Sequence, residues 1–159
     1  MQVVLLAAVA GCAPPDLSPA NTSIGLYVAA DVRPTALSLS DSTAVLDIRI
    51  LTENPSDQTI IVVTGGPPYT ENAEPEAGSG ISQSYRIARP GNLWDAGPSA
   101  DWWGSPADTF PPRHGVYAEN KGSLKSWRDG GWTTDTGMYT VRSFYNGHEG
   151  ASTTFRLVP

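Results

Sequence analysis

Between Ala44 and Leu51 the residues alternate with a period of two: Ala44, Leu46, Ile48 and Ile50 on one side, Val45, Asp47, Arg49 and Leu51 on the other. One side is uniformly apolar and the other carries the charges, which is the pattern of a strand with one buried face. A chain built around such a segment folds as sheet packed on a core.

The same period recurs along the 159 residues. Ile24, Leu26, Val28 and Ala30 alternate with Gly25, Tyr27 and Ala29, and Leu37 and Leu39 continue the pattern beyond Pro34. The β-branched run from Thr59 to Thr64 predicts a further strand. Asn54-Pro55-Ser56-Asp57 precedes it, a turn in which Pro presets φ while Asn and Asp bond nearby backbone, so the two flanking strands read as a hairpin. Ile81 to Ala88 predicts a strand with Tyr85 and Ile87 on one face, and Ser123 to Trp127, Gly137 to Tyr145 and Ala151 to Val158 predict three more. Asn146-Gly147 is a hairpin turn that favours positive φ. No segment predicts a helix. With 16 Gly and 14 Pro the chain has many turns without reaching low-complexity composition. Seven or eight short strands separated by turns imply an all-β, antiparallel β-sandwich.

Charge and chemistry narrow the function. The formal net charge is −6 and only Lys121 and Lys125 are lysines, so no basic stripe is present to neutralise phosphates, and no nucleic-acid partner is expected. His114 and His148, the only two histidines, both fall in predicted turns, and neither lies in a zinc-binding or nucleophile-base pattern. Asp95, Asp101 and Asp108 punctuate a Trp-rich segment, but acids in a loop are usually solvated and the domain is small for a glycosidase, and with Glu71, Glu74 and Glu76 they show no EF-hand spacing for calcium. The expectation is a protein that is not an enzyme and has no catalytic residue, metal or cofactor.

The N-terminus points to a location. Val3 to Ala10 is an unbroken apolar run, followed by Gly11, Cys12 and two prolines. Eight residues of helix rise about 12 Å, far short of the roughly 30 Å of a hydrocarbon core, so the run fits a signal-peptide h-region rather than a membrane span. Val9-Ala10-Gly11-Cys12 resembles the bacterial lipobox, in which the Cys is diacylglycerol-modified and becomes the mature N-terminus. Residues 1–11 then form the signal peptide, residues 12–22 the lipidated Cys12 and a Pro-rich tether, and residues 23–159 the sandwich. Cys12 is the only cysteine, so the core is sealed without a disulfide. The mature protein is expected on a bacterial cell envelope, extracytoplasmic, held to the membrane by its lipid anchor.

Residues 89–112 read as a long Pro/Trp-rich loop, and loops of that length are often functional. Trp94, Trp102 and Trp103 lie within it, and large rings of this kind are enriched where an apolar face meets water, so they are the candidate binding residues. Neighbouring Trp102 and Trp103 should point to opposite sides of an extended segment.

Asp135-Thr136-Gly137-Met138-Tyr139 has the spacing of a tyrosine corner, in which a Tyr entering a late strand buries its ring and bonds back to the corner backbone. Together with the strand pair from Val45 to Thr64, the segment Gly65-Gly66-Pro67-Pro68-Tyr69, and Trp127-Arg128-Asp129-Gly130, this resembles the BsuPI-type intracellular proteinase inhibitor domain and its extracytoplasmic relatives. The resemblance covers about residues 36–158 and departs from the family in the acidic stretch 71–80 and the Pro/Trp segment. It implies an immunoglobulin-like fold and a binding or inhibitory role, with an unknown protein partner, a protease among the candidates. A carbohydrate-binding module that uses its Trp faces for a glycan, and a structural envelope lipoprotein, are the alternatives.

Overall fold

A computed structural model describes residues 18–64, 81–89, 99–104, 106–132 and 134–159. Among the described residues eleven strands and one short helix follow in the order β1 (Tyr27–Arg33), β2 (Ala36–Ser38), β3 (Val45–Glu53), β4 (Ile60–Val63), β5 (Ile81–Ala88), β6 (Ala100–Trp103), β7 (Ala107–Phe110), β8 (Gly115–Ser123), α1 (Leu124–Asp129), β9 (Gly137–Tyr145), β10 (His148–Glu149) and β11 (Thr153–Val158). The count exceeds seven or eight because β2, β6, β7 and β10 span only two to four residues.

Two sheets face one another. One runs β1-β3-β8, the other β2-β11-β9-β5-β6 with β10 hairpinned onto β9, and β4 and β7 form a separate ribbon. β3 beside β8, and β5 beside β9 beside β11, reproduce the B–E and C–F–G neighbours of an immunoglobulin-like sandwich. The first strand divides between the sheets: β1 pairs antiparallel with β3, then after Pro34 β2 runs parallel to β11.

The alternation of β3 is kept in space. Leu46, Ile48, Ile50 and Thr52 are buried, while Asp47, Arg49 and Leu51 on the other face are partly exposed. Facing them across the core are Tyr85 and Ile87 of β5, Tyr139 and Val141 of β9, and Phe155 and Leu157 of β11, all buried. Phe155 stacks on Tyr139 with ring centres 5.3 Å apart and receives the edge of Trp127 at 5.9 Å. Such ring contacts and the aliphatic layer seal a core without a disulfide.

Three expectations are corrected. β3 and β4 do not form a hairpin. Both edges of β3 are already occupied, by β1 and by β8, so β4 leaves the sheet and pairs with β7 instead. The stretch from Ser123 to Trp127 is not a strand but the start of α1, capped by Ser123, whose hydroxyl accepts from the Ser126 amide at 3.1 Å. Leu124 and Trp127, three residues apart, bury one helical face. The segment 89–112 is not one continuous loop, since β6 and β7 lie within it, each held by a partner distant in sequence.

Asn54 ties these parts together. Fully buried, it donates from its side-chain nitrogen to the carbonyls of Gln58 (2.7 Å), Phe110 (3.0 Å) and Pro111 (3.0 Å). Its carbonyl oxygen accepts from the Ser56 amide at 3.0 Å and hydroxyl at 2.7 Å, and its own amide donates to the His114 carbonyl at 2.8 Å. One side chain thus closes the turn after β3, the end of β7 and the approach to β8.

Asn54→Ala removes the carboxamide from these carbonyls and from Ser56, leaving the Gln58 carbonyl its bond from the Ser56 hydroxyl, and each uncompensated buried group costs about 1–3 kcal/mol. The variant is expected to lose about 3 kcal/mol in urea unfolding, with an unchanged m-value.

Candidate functional site

The ribbon β4–β7 packs Val62 and Phe110 into the core and has two unlike faces. Ile60 pairs with Phe110, Ile61 with Thr109, Val62 with Asp108 and Val63 with Ala107. By strand alternation Val62 and Phe110 turn inward and are buried, while Ile61 and Val63 turn outward at 65% and 69% exposure. Thr109 and Ala107, opposite them, are exposed too. The ribbon therefore presents an apolar strip to solvent on a scaffold fixed from behind. Behind it the Phe110 ring meets Tyr145 edge-on at 5.2 Å, Asn146 donates to the Val63 carbonyl at 3.2 Å, and the Thr64 amide donates to Pro106.

Asn146 and Gly147, at φ 47° and 78°, are the turn between β9 and β10, where both central residues need positive φ. That turn fixes the position of Tyr145 and Asn146 under the ribbon.

Beside the ribbon lies a cleft of about 430 Å³ whose lining includes Ser82, Gln83, Gly104, Asp108, Val116 and Tyr145. The Tyr145 hydroxyl donates to the Asp108 carboxylate at 2.6 Å. Burial, the bond to Asp108 and the charge of that carboxylate all push the Tyr145 phenol well above its ordinary value. Gln83 is not available to the cleft as a donor, because its nitrogen reaches across the core to the Ile50 carbonyl and the Thr52 hydroxyl, both at 3.0 Å. Gly104 permits the close passage of this wall: a Cβ there would stand 2.7 Å from both Asp108 and Ser82.

Of the candidate binding residues Trp94, Trp102 and Trp103, the side chain of Trp102 alone lies among the described residues. Trp102 sits on β6 opposite Gln83, half-buried, with its ring 6.0 Å from Tyr85 and packed against the core. Trp103 lies opposite Ile81 in the same strand pair, next to a register shift. Trp94 and Cys12 lie outside the described residues.

Asp95, likewise, lies outside them, whereas Asp101 and Asp108 hold separate posts. Asp101 pairs with the buried Arg86 at 2.8 Å, and Asp108 with Tyr145. Gly137 adopts φ 146°, and the buried Tyr139 donates its hydroxyl to the Asp135 carbonyl at 2.8 Å. Arg89 reinforces that corner, bonding the Asp135 carboxylate at 2.7 Å and lying 5.4 Å above the Tyr139 ring. His114 is exposed, and His148 lies within 3.1 Å of the Ser23 hydroxyl. Among the described residues no group of three His, Cys, Asp or Glu side chains is placed to hold a metal ion, and no helix is long and apolar enough to cross a membrane.

Sequence reasoning missed the exposed strip. The β-branched run Ile60-Ile61-Val62-Val63 reads as a strand paired with the one before it, and nothing local shows that β4 leaves the sheet. The Tyr145–Asp108 bond joins residues 37 apart and has no sequence signal.

No protein-family model matches the chain, and no curated protein does. Among solved structures, the chain is similar to the Pseudomonas fluorescens alkylpurine DNA glycosylase AlkC bound to DNA containing an abasic site analogue. There the TM-score is 0.45 and the identity 9%, over 84% of this chain and 30% of that one. It is also similar to the CARDB domain of the PF1109 protein from Pyrococcus furiosus in complex with di-metal ions, with TM-score 0.41 and 12% identity, over 84% of this chain and 92% of that one. The chain thus spans less than a third of the glycosylase's length.

Two buried phenols give the fold a signature in alkali. Burial raises Tyr85 from 10.0 to about 12, a shift opposed by the bond from Asn120, and Tyr145 is raised as well. Both groups keep their protons in the folded chain after the unfolded chain has lost them. Their contribution is therefore complete below pH 10 and falls as pH rises from 10 toward 12. Ultraviolet titration of phenolate is expected to show Tyr85 and Tyr145 ionising only with unfolding, and Tyr145→Phe is expected to flatten the decline.

Proposed function

We propose that this protein is a lipid-anchored, extracytoplasmic immunoglobulin-like domain that acts by binding a partner protein and carries out no catalysis itself. The observation that carries the reading is the outward face of the β4–β7 ribbon, where Ile61 and Val63 stand 65% and 69% exposed on strands whose inner face packs on the core. Apolar side chains kept in water on a fixed ribbon are the kind of feature that marks a contact surface. Half of that ribbon, β7, belongs to the segment 89–112 expected to supply the contact.

The resemblance to the BsuPI-type inhibitor domain makes a protease the first partner to test. An extended ribbon with exposed β-branched residues suits the cleft of such an enzyme, which receives peptide substrate as a strand. The anchor is assigned to Cys12 on the lipobox pattern, which places the domain on an envelope membrane facing away from the cytoplasm. Glycan binding is the weaker reading, since Trp102 is half-buried against Tyr85.

The test is an inhibition assay of the full chain against serine and metalloproteases, with cleavage of the chain followed in parallel. Inhibition without cleavage is expected, weakened about tenfold or more in the double variant Ile61→Asp, Val63→Asp, because two apolar anchors are lost. No inhibition of any member of the panel would remove the inhibitor reading, and inhibition unchanged in the double variant would remove the ribbon as its surface. For the anchor, Cys12→Ser is expected to abolish incorporation of labelled fatty acid and to release the protein from the membrane fraction; retention of both would refute lipidation at Cys12.

A further inference from the structure

β8 is the outermost strand of its sheet: β3 lies on one side, and among the described residues no strand pairs on the other. In immunoglobulin domains that place belongs to strand D. Here β7, which has the chain position of strand D, pairs with β4 instead, so that among the described residues no strand lies along the outer edge of the nine-residue β8.

The ladder shows which groups point outward. The Asn54 amide donates to His114 and the Leu124 amide to Ala44, two pairs that bracket the β3–β8 register. In an antiparallel ladder the hydrogen-bonded pairs alternate. Val116, Ala118, Asn120 and Gly122 therefore bond to β3, and Tyr117, Glu119 and Lys121 direct their backbone N–H and C=O away from it. Tyr117 and Val116 are 68% and 50% exposed beside this edge. A long unpaired edge flanked by apolar side chains is a template for another strand.

We propose that β8 pairs antiparallel with β8 of a second copy of this chain, about a two-fold axis at Asn120, joining the two β1-β3-β8 sheets into one. The charges select that register. With the axis at Asn120, Glu119 of each copy faces Lys121 of the other, Ala118 faces Gly122 and Tyr117 faces Ser123. Moving the axis to residue 119 sets Glu119 against itself, and moving it to residue 121 sets Lys121 against itself. Opposite charges across a strand pair stabilise it and like charges destabilise it. The overlap ends at Ser123 in both copies, where α1 begins and the extended backbone stops. A symmetric, self-complementary patch of this kind closes as a dimer and does not propagate.

The test is sedimentation equilibrium of the full chain, with thermal unfolding to verify that each variant is folded. A concentration-dependent dimer is expected. Glu119→Lys and Lys121→Glu each place like charges opposite one another twice, and each is expected to weaken the dimer about tenfold or more. An equimolar mixture of the two single variants is expected to dimerise again, as is the double variant. Amide exchange supplies a second readout: Tyr117, Glu119 and Lys121 are expected to gain protection as concentration rises, while Asn120 is protected throughout by its bond to β3. A monomer at every concentration, a mixture that fails to associate, or a dimer whose residue 117, 119 and 121 amides still exchange freely would overturn the proposal.

Discussion

The buried carboxamide of Asn54 is the junction on which the arrangement of this domain depends. A side chain with two donors and one acceptor has no place in an apolar core unless partners surround it, and burying it unpaired would cost several kcal/mol. Here it is surrounded: Ser56 and Gln58 from its own turn, Phe110 and Pro111 from the end of β7, and His114 through the main chain. The ribbon β4–β7 could swing free of the sandwich if only its own ladder held it. Instead its Phe110 end is clamped at Asn54 and its Val63 end at Asn146.

That clamping connects architecture to function. Removing β4 and β7 from the main sheets leaves two consequences at opposite sides of the same cause. It presents Ile61 and Val63 to solvent, and among the described residues it leaves β8 without the neighbour that strand D would have provided. The proposed contact surface and the proposed self-pairing edge both rest on a single departure from the usual strand pairing. Surface ion pairs add little to this picture. Arg49 with Asp47 and Glu119, and Lys121 with Glu119, lie on the solvent side of β3 and β8, where water screens such pairs.

The parts of the fold legible in the sequence are those fixed by local pattern. The alternation in β3, the Asn146-Gly147 turn and the apolar positions Phe155 and Leu157 of β11 each follow from a period of two or from positive φ, and each stands in the structure. What was not legible depends on competition between distant segments. Whether β4 pairs with β3 is decided by β8, whose Gly115 follows Val63 by 52 positions, and no local signal records that claim on the edge. β6 and β7 were hidden for a related reason, since Pro and Trp density around them reads as irregular chain while their pairing partners, β5 and β4, supply the order. α1 did leave a trace: Ser123 as cap, Leu124 and Trp127 three apart, and Lys125 with Asp129 four apart. Six residues are too few for a helical period to outweigh an extended reading. Trp102 carried a real signal of an aromatic residue with structural weight, but its partner Tyr85 turns it toward the core.

The central claim is that Asn54 holds the ribbon in place against the sandwich, and hydrogen exchange of Asn54→Ala tests it most directly. The account predicts that β4 and β7 amides lose protection while those of β9 and β11, sealed by Tyr139, Val141, Phe155 and Leu157, keep theirs. Protection unchanged in the ribbon, or lost equally across both sheets, would contradict it.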